Sequence, residues 1–398
     1  MAGRERSPRA VKLAAAVVAA AAVGLGCTAD DDPSSPTSPA TSTTTATSPG
    51  SGTSPSGSES ARPPSNTSPS TSPRAPAPAP ITIAFAGDIH FEGPLRDRLD
   101  EPAAALAPIA PHLSAADLTV VNLETSIGTS GTPEPKRYTF QAPPAALEAL
   151  AAAGVDIATM ANNHGLDFGL DGLADTLRAA EAARTATPPL SVIGIGADVS
   201  DAFAPARRSI GAVDVAVFGA SVPDDPRADP TQQWAATPER GGIAVALDPD
   251  RLISAVRSAA ASHDVVVVYL HWGVQGESCP SASQSRLAGQ LSAAGADIVV
   301  GSHAHRLQGA GMLDDTFVAY GLGNFVWYTQ NPDTAATGIL TLTVDDTGVT
   351  ESAWTPARIR ADGLPTVVTG SDADAMAGEF AALRDCAGLD QLTPSGKP

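Results

Sequence analysis

The chain has 398 residues, 43% of them hydrophobic and only 4% aromatic, and a formal net charge of −19 at pH 7. From residue 80 onward it carries 38 acidic against 18 basic side chains, a net −20, which excludes nucleic acid and anionic membrane surfaces as partners of that part. The roughly 318 residues from Ile81 fall within what one large α/β domain buries around a single core.

At the start, Arg4, Arg6, Arg9 and Lys12 precede LAAAVVAAAAVGLG (13–26). Fourteen apolar residues behind a basic start make the h-region of an export signal, short of the roughly 20 that a spanning helix needs. Cys27 closes the apolar run and opens a polar one, where a bacterial lipoprotein signal places its lipidated cysteine. The expectation is a lipoprotein-type signal over 1–27 and a lipid anchor on the outer face of the cell membrane, with ordinary secretion as the alternative. Between Pro33 and Pro80, 35 of 48 residues are Pro, Ser or Thr, and none is Leu, Ile, Val, Met or aromatic. Such a stretch has nothing to bury against its ordering entropy, so 28–80 reads as a disordered tether. Residues 81–398 remain for the domain.

Five times in that domain a short apolar run ends in a metal-capable polar residue: ITIAFAGDIH (81–90), DLTVVNLE (117–124), VDIATMANNH (155–164), DVVVVYLHWG (264–273) and ADIVVGSHAH (296–305). Such runs read as buried strands of a parallel sheet, and ligand sites lie beyond the carboxyl ends of these strands. The expectation is that Asp, Glu, Asn and His side chains meet at one edge of one sheet. Five of the seven histidines (His90, His164, His271, His303 and His305) stand at these ends, leaving His112 and His263 elsewhere. One histidine in a strand is ordinarily a hydrogen-bonded structural residue; five at equivalent positions are hard to explain that way.

Taken in order, Asp88 and His90 form Asp-x-His; with the first strand ending at Gly87, both would project from a loop toward one ion. Glu124 is a carboxylate at a buried strand end and needs a partner, either a cation or a salt bridge to a residue such as Lys136 or Arg137. Asn162, Asn163 and His164 must cap a helix or serve a site, and Asp167, three residues on, is placed to orient the His164 imidazole. His271 ends the most apolar strand, where Trp272-Gly273 reads as a site wall. His303 and His305, two apart in a loop entered through Gly301, can face one cavity.

Helices are expected at 143–153, 171–184, 249–262 and 284–294. Strands are expected at 190–196, 213–221, 317–328, 338–346 and 349–359, the last two joined by an Asp345-Asp346-Thr347-Gly348 turn as an antiparallel hairpin. Together these make mixed sheets with helices outside. Besides Cys27 there are only Cys279 and Cys386; for an exported chain a disulfide between them is the expectation, two free thiols the alternative.

GDIHFEG (87–93), NLETSIG (122–128), YTFQAPP (138–144), MANNHGLDFG (160–169), HWGVQGE (271–277), QLSAAGADIVVGSHAHRLQG (290–309) and YGLGNFVW (320–327), in that order, resemble the calcineurin-like metallophosphoesterases. Within them, the resemblance is to the CapA group of poly-gamma-glutamate capsule biosynthesis proteins. It spans 81–360 and implies a four-layer α/β/β/α sandwich and two divalent ions, Mn, Zn or Fe. Asp88, His90, Glu124 and His305 would hold one ion; Asp88, Glu124, Asn163, His271 and His303 would hold the other. His164, not itself a ligand, would protonate the leaving group or steady the developing charge, with Asp167 fixing its ring. This sequence departs from the phosphoesterase pattern with Glu124 as the bridging carboxylate, where Asp is usual, and with Gly165 where an acidic residue is usual. The resemblance implies a metal-dependent hydrolase acting on an anionic polymer or a phosphate ester, in the company of polyglutamate synthase and export proteins. The alternative is a non-catalytic, metal-stabilised polymer-binding or synthase-accessory protein; no Gly-x-x-x-x-Gly-Lys-[Ser/Thr] motif of an ATP-dependent ligase is present.

Overall fold

A computed structural model describes residues 79–223, 233–328, 331–345 and 347–393. The signal region with Cys27, and all of the tether but its last two residues, lie outside the described residues. Among the described residues, no helix is long and apolar enough to cross a membrane.

Two large mixed sheets organise the domain. The first contains, in spatial order, Pro365–Val367, Gly348–Ile359, Ala336–Asp345, Ile81–Ile89, Leu118–Leu123, Ile157–Thr159 and Ser191–Ile193, with Asn324–Val326 also paired to Ile81–Ile89. The second runs Ala310–Leu313, Thr316–Ala319, Ile298–Ser302, Val265–Gly273, Val213–Pro223 and Ala206–Ile210. The strands Ile81–Ile89, Leu118–Leu123 and Ile157–Thr159 are mutually parallel neighbours, as are Val213–Pro223, Val265–Gly273 and Ile298–Ser302 in the other sheet.

Alternation along the strands shows how the layers stack, because successive side chains leave opposite faces of a sheet. Ile83 and Phe85 of the first sheet share a core with Val265, Val267 and Tyr269 of the second, which places the sheets face to face. Ala84 and Ala86 turn the other way, into a core that contains Leu147, Leu150 and Leu173 of the helices Ala145–Ala152 and Gly169–Arg184. Val266, Val268 and Leu270 do the same on the far side, against Leu252 and Val256 of Asp250–Ala260 and Leu287 and Leu291 of Ala282–Ala293. The order is therefore helix, sheet, sheet, helix. A hydrogen bond crosses the central layer, the Tyr269 hydroxyl donating to the Ala86 carbonyl at 2.8 Å.

Several expectations need correcting. The five ligand-bearing strands belong to two sheets, three to the first and two to the second; strand direction can be read from a sequence, but sheet membership depends on which strands pair. The first strand continues through Asp88 to Ile89. Gly87 permits this, since a Cβ there would lie 1.9 Å from the Gly323 carbonyl oxygen, and the strand passes close enough for Asp88 to pair with Asn324. Segment 317–328 is two strands belonging to different sheets. The helix Ser371–Ala382 and the 3-10 turn Gly93–Asp100 carry no apolar period strong enough to announce them.

Cys279, beyond the strand Val265–Gly273, is disulfide-bonded to Cys386 in the short helix Arg384–Ala387, with Cα atoms 5.6 Å apart.

Candidate metal centre

The carboxyl ends of the parallel strands in both sheets converge on one buried polar cluster. Asp88 and Glu124 are each 0% exposed. Asp88 Oδ1 accepts a hydrogen bond from the Asn122 amide at 2.8 Å, and its Oδ2 accepts from the His303 backbone N–H at 3.2 Å and lies 3.3 Å from His305 Nδ1. His271 Nε2 lies 2.8 Å from both Asn163 Oδ1 and His303 Nδ1 and 3.7 Å from Glu124 Oε1. Four lone-pair-bearing atoms of ligand type thus crowd together beside two buried carboxylates.

Two groups of ligand atoms lie mutually within 4.8 Å: Glu124, His271 and His303 in one, Asp88, Glu124 and His305 in the other. Glu124 is common to both, the position a bridging carboxylate takes. Asn163 joins the first group through its contact with His271. His90 stands outside both groups: its Nδ1 accepts from the Glu92 N–H at 2.9 Å, and its Nε2 is buried with no hydrogen-bond partner.

These residues fit divalent cations. Two fully buried carboxylates in low dielectric demand compensating charge, and mixed imidazole, amide and carboxylate donors suit Zn, Mn or Fe. Burial holds the imidazoles of His271 and His90 well below the usual histidine range, with neighbouring imidazoles adding to the effect, so they are neutral and their lone pairs are available. His303 and His305 have φ of 91° and 52°. Non-glycine residues in that region cost about 1–3 kcal/mol each and cluster at functional sites.

Beside this centre is a second cluster. His164 Nδ1 lies 2.6 Å from Asp167 Oδ2, and its Nε2 lies 3.8 Å from Glu124 Oε1. Asp167, also fully buried, accepts from the Phe140 N–H at 2.6 Å and pairs with Lys136 Nζ at 2.5 Å. Burial pushes its carboxyl up to about 7, against the pull of the Lys136 ammonium and the Phe140 N–H. Burial and Lys136 together hold the His164 imidazole well below its ordinary value. Phe140 stacks on His164 with ring centroids 4.0 Å apart and on His90 at 4.9 Å.

Lys136 reaches Asp167, and Arg137 lies over the Tyr138 ring at 5.0 Å; Glu124 has its place among the imidazoles instead. Asn162 and Asn163 cap no helix: the Asn162 amide donates to Asn122 Oδ1 and to the Leu123 carbonyl, and its Oδ1 accepts from the His164 N–H. Trp272 is not a wall of the site. Next to His271 on a strand, it leaves the opposite face and packs in the helix-side core, donating to the Tyr320 carbonyl at 2.8 Å. The roles of Asn122, Lys136, Phe140 and Asn324 were not readable from the residues alone. Asn122 and Asn324 stand inside strands, where a polar residue among apolar neighbours is the only signal. Asn324 Oδ1 lies 2.8 Å from His305 Nδ1.

A cleft of about 580 Å³, lined by Glu92, Arg137, Tyr138, Phe140 and Tyr328 among others, adjoins the centre. Tyr328 meets the edge of His90 with centroids 4.4 Å apart, and Phe140 is shared between cleft and centre.

Stacked sheets between helix layers, with carboxylates, amides and imidazoles gathered at their strand ends, define a four-layer α/β sandwich with a candidate divalent-metal site. The family described as bacterial capsule synthesis protein PGA_cap matches residues 82–329, and the chain belongs to that family. It is 28% identical over 264 residues to the PGA biosynthesis protein CapA of Bacillus subtilis (strain 168), covering 64% of this chain and 66% of that protein. It is 31% identical over 233 residues to the capsule biosynthesis protein CapA of Bacillus anthracis, covering 56% and 53%. A probable polyglutamine synthesis accessory protein of Mycobacterium tuberculosis is 29% identical over 220 residues, covering 54% and 56%. The chain thus spans about half to two thirds of the length of these relatives. Among solved structures it is similar to a novel phosphatase from Mycoplasma pneumoniae (14% identity, TM-score 0.43, covering 70% of this chain and 94% of that one). It is also similar to a putative 5′-nucleotidase from Staphylococcus aureus (16%, 0.43, 77% and 58%).

Proposed function

We propose that this protein is an exported, surface-tethered hydrolase with a dinuclear metal centre, acting on an anionic polymer or a phosphate ester during capsule or polyglutamate assembly. The observation that carries the reading is a pair of ligand groups sharing Glu124, with His164 Nε2 3.8 Å from the same carboxylate. When bound, two divalent ions would supply Lewis acidity and a water activated near neutral pH. Asp88, Glu124, Asn163, His271, His303 and His305 would hold them, with His90, whose buried Nε2 has no hydrogen-bond partner, as a further ligand on the Asp88 side. His164 would steady the charge developing on the leaving oxygen, or pass it the Nε2 proton while its Nδ1 takes the proton of the Asp167 carboxyl, which burial raises to about 7, a contribution on the order of 10²–10⁴-fold, and Asp167 keeps its ring turned for that task. Arg137, at the adjoining cleft, offers positive charge to an anionic chain and offsets the acidity of the rest of the surface.

Export and anchoring belong to the same proposal: Cys27 takes the lipid, 28–80 tethers the domain to it, and the domain works beside polyglutamate synthase and export proteins. Fatty-acid labelling should be lost in Cys27→Ser; label and membrane partition retained in that variant would sink the anchor and leave secretion. The hydrolase reading is tested by assaying phosphomonoesters, phosphodiesters and polyglutamate with and without Mn²⁺, Zn²⁺ or Fe²⁺. Metal-dependent turnover of any of them supports it. Full metal occupancy without turnover would replace it with the non-catalytic accessory role.

A further inference from the structure

Lys136 is the one cation that reaches the His164 cluster among the described residues. Its ammonium group pairs with Asp167 Oδ1 at 2.5 Å, lies 3.3 Å from His164 Nδ1 and donates to the Asn163 backbone carbonyl. The stem is mostly buried, and the ammonium lies 5.1 Å from the centre of the Trp234 ring. One ammonium thus touches the residue that orients the proton donor, the donor itself and the backbone of a ligand residue. Each Asp167 oxygen has its own neighbour: Oδ1 ion-pairs with the ammonium without hydrogen-bond geometry, while Oδ2 accepts from the Phe140 N–H and faces His164 Nδ1. The ammonium lies on Oδ1, and Oδ2 is the oxygen that faces the imidazole, whose Nε2 is turned toward Glu124.

We propose that Lys136 is a positioning residue for the proton donor: by clamping Asp167 to the Asn163 backbone it holds the His164 ring with Nδ1 on the carboxylate and Nε2 on the metal centre. The proposal rests on reading His164 as that donor. Loss of the ammonium shifts the nearby His164 signals by charge alone, so the discriminating readout is the tautomer: a salt bridge serving stability alone would leave the proton on the same His164 ring nitrogen when replaced. A positioning clamp would not, and outer residues that orient a functional histidine commonly contribute about 10–100-fold.

The test uses the full-length protein loaded with Zn²⁺ and labelled with ¹⁵N-histidine, the His164 signals being those lost in His164→Ala. In Lys136→Met, which keeps the apolar stem, metal content should stay at the wild-type level while the His164 ring-nitrogen signals report a changed tautomer. Lys136→Arg, which keeps the charge, should restore the wild-type tautomer. The kcat for phenyl phosphate, whose leaving group needs a proton, should fall about 10–100-fold, several-fold more than for p-nitrophenyl phosphate, with KM within about twofold. The wild-type His164 tautomer in Lys136→Met, or equal losses on the two esters, would overturn the clamp. If wild type turns over neither ester, the hydrolase reading fails and the imidazole tautomer alone decides Lys136. Lys136→Gln gives the same comparison if the Met variant does not fold, and failure of both neutral variants to fold assigns Lys136 a structural role and refutes the proposal.

Discussion

The two sheets supply different chemistry to one centre. The first brings the carboxylates and the amide, Asp88, Glu124 and Asn163, together with His164; the second brings only imidazoles, His271, His303 and His305. The first does so by close strand approach, Gly87 passing within contact of Gly323 so that Asp88 stays in register beside Asn324. The second turns two histidines back toward the gap through backbone with positive φ. Each ligand group draws on both sheets, so neither half holds a complete set. The acidic half alone would bury two carboxylates without compensation, and the imidazole half alone would be neutral. Stacking the sheets is therefore what assembles the candidate ligand groups, and the strain at His303 and His305 is borne by that packing.

The comparison breaks most visibly at Glu124, the one residue common to both groups. Glu124→Ala should empty both positions, with any hydrolytic rate falling on the order of 10³-fold or more, whereas His305→Ala should spare the group of Glu124, His271 and His303. Metal analysis by mass spectrometry separates the two. Equal metal loss from both variants would mean that the sheets do not contribute separable positions.

The disulfide ties the end of a second-sheet strand to the C-terminal helix and closes a loop with a sequence separation of 107. Replacing both cysteines by serine should cost about 2–4 kcal/mol of unfolding free energy in urea, chain entropy setting an upper figure near 4.7. An unchanged midpoint would show that the second sheet is held without it.

His164 lies on the first sheet's side but outside the ligand groups. His164→Ala should retain metal and lower kcat on the order of 10²-fold; loss of metal in this variant would make it a ligand.

A further expectation concerns pH. His90, His164 and His271 have pKa values held well below 6.5 in the folded protein, by burial first of all. The unfolded chain therefore binds more protons below about 6.5, and stability is greatest above that value and declines as pH falls toward the folded pKa values. Metal-free protein should lose up to about 1.4 kcal/mol per pH unit for each such histidine, measurable by urea unfolding at pH 7.5 and 5.5. A flat profile would mean that these imidazoles are not buried neutral.

Much of this was legible because it is local. A run such as VVVVYLHWG states its strand, and the residue at its end states what it offers a ligand, without reference to anything distant. The helix positions within about two residues and the antiparallel pairing of Ala336–Asp345 with Gly348–Ile359 follow from the same short-range patterns. What depended on the tertiary structure is everything that needs two segments at once. That the five strand ends belong to two sheets, that Lys136 meets Asp167 and not Glu124, that Trp272 points away from His271, and that Glu124 is shared while His90 stands apart are all settled by pairing and stacking. Side-chain chemistry is carried by each residue, but a coordination shell is a set of distances between residues as far apart in the chain as Asp88 and His305, and only the packed core sets those distances.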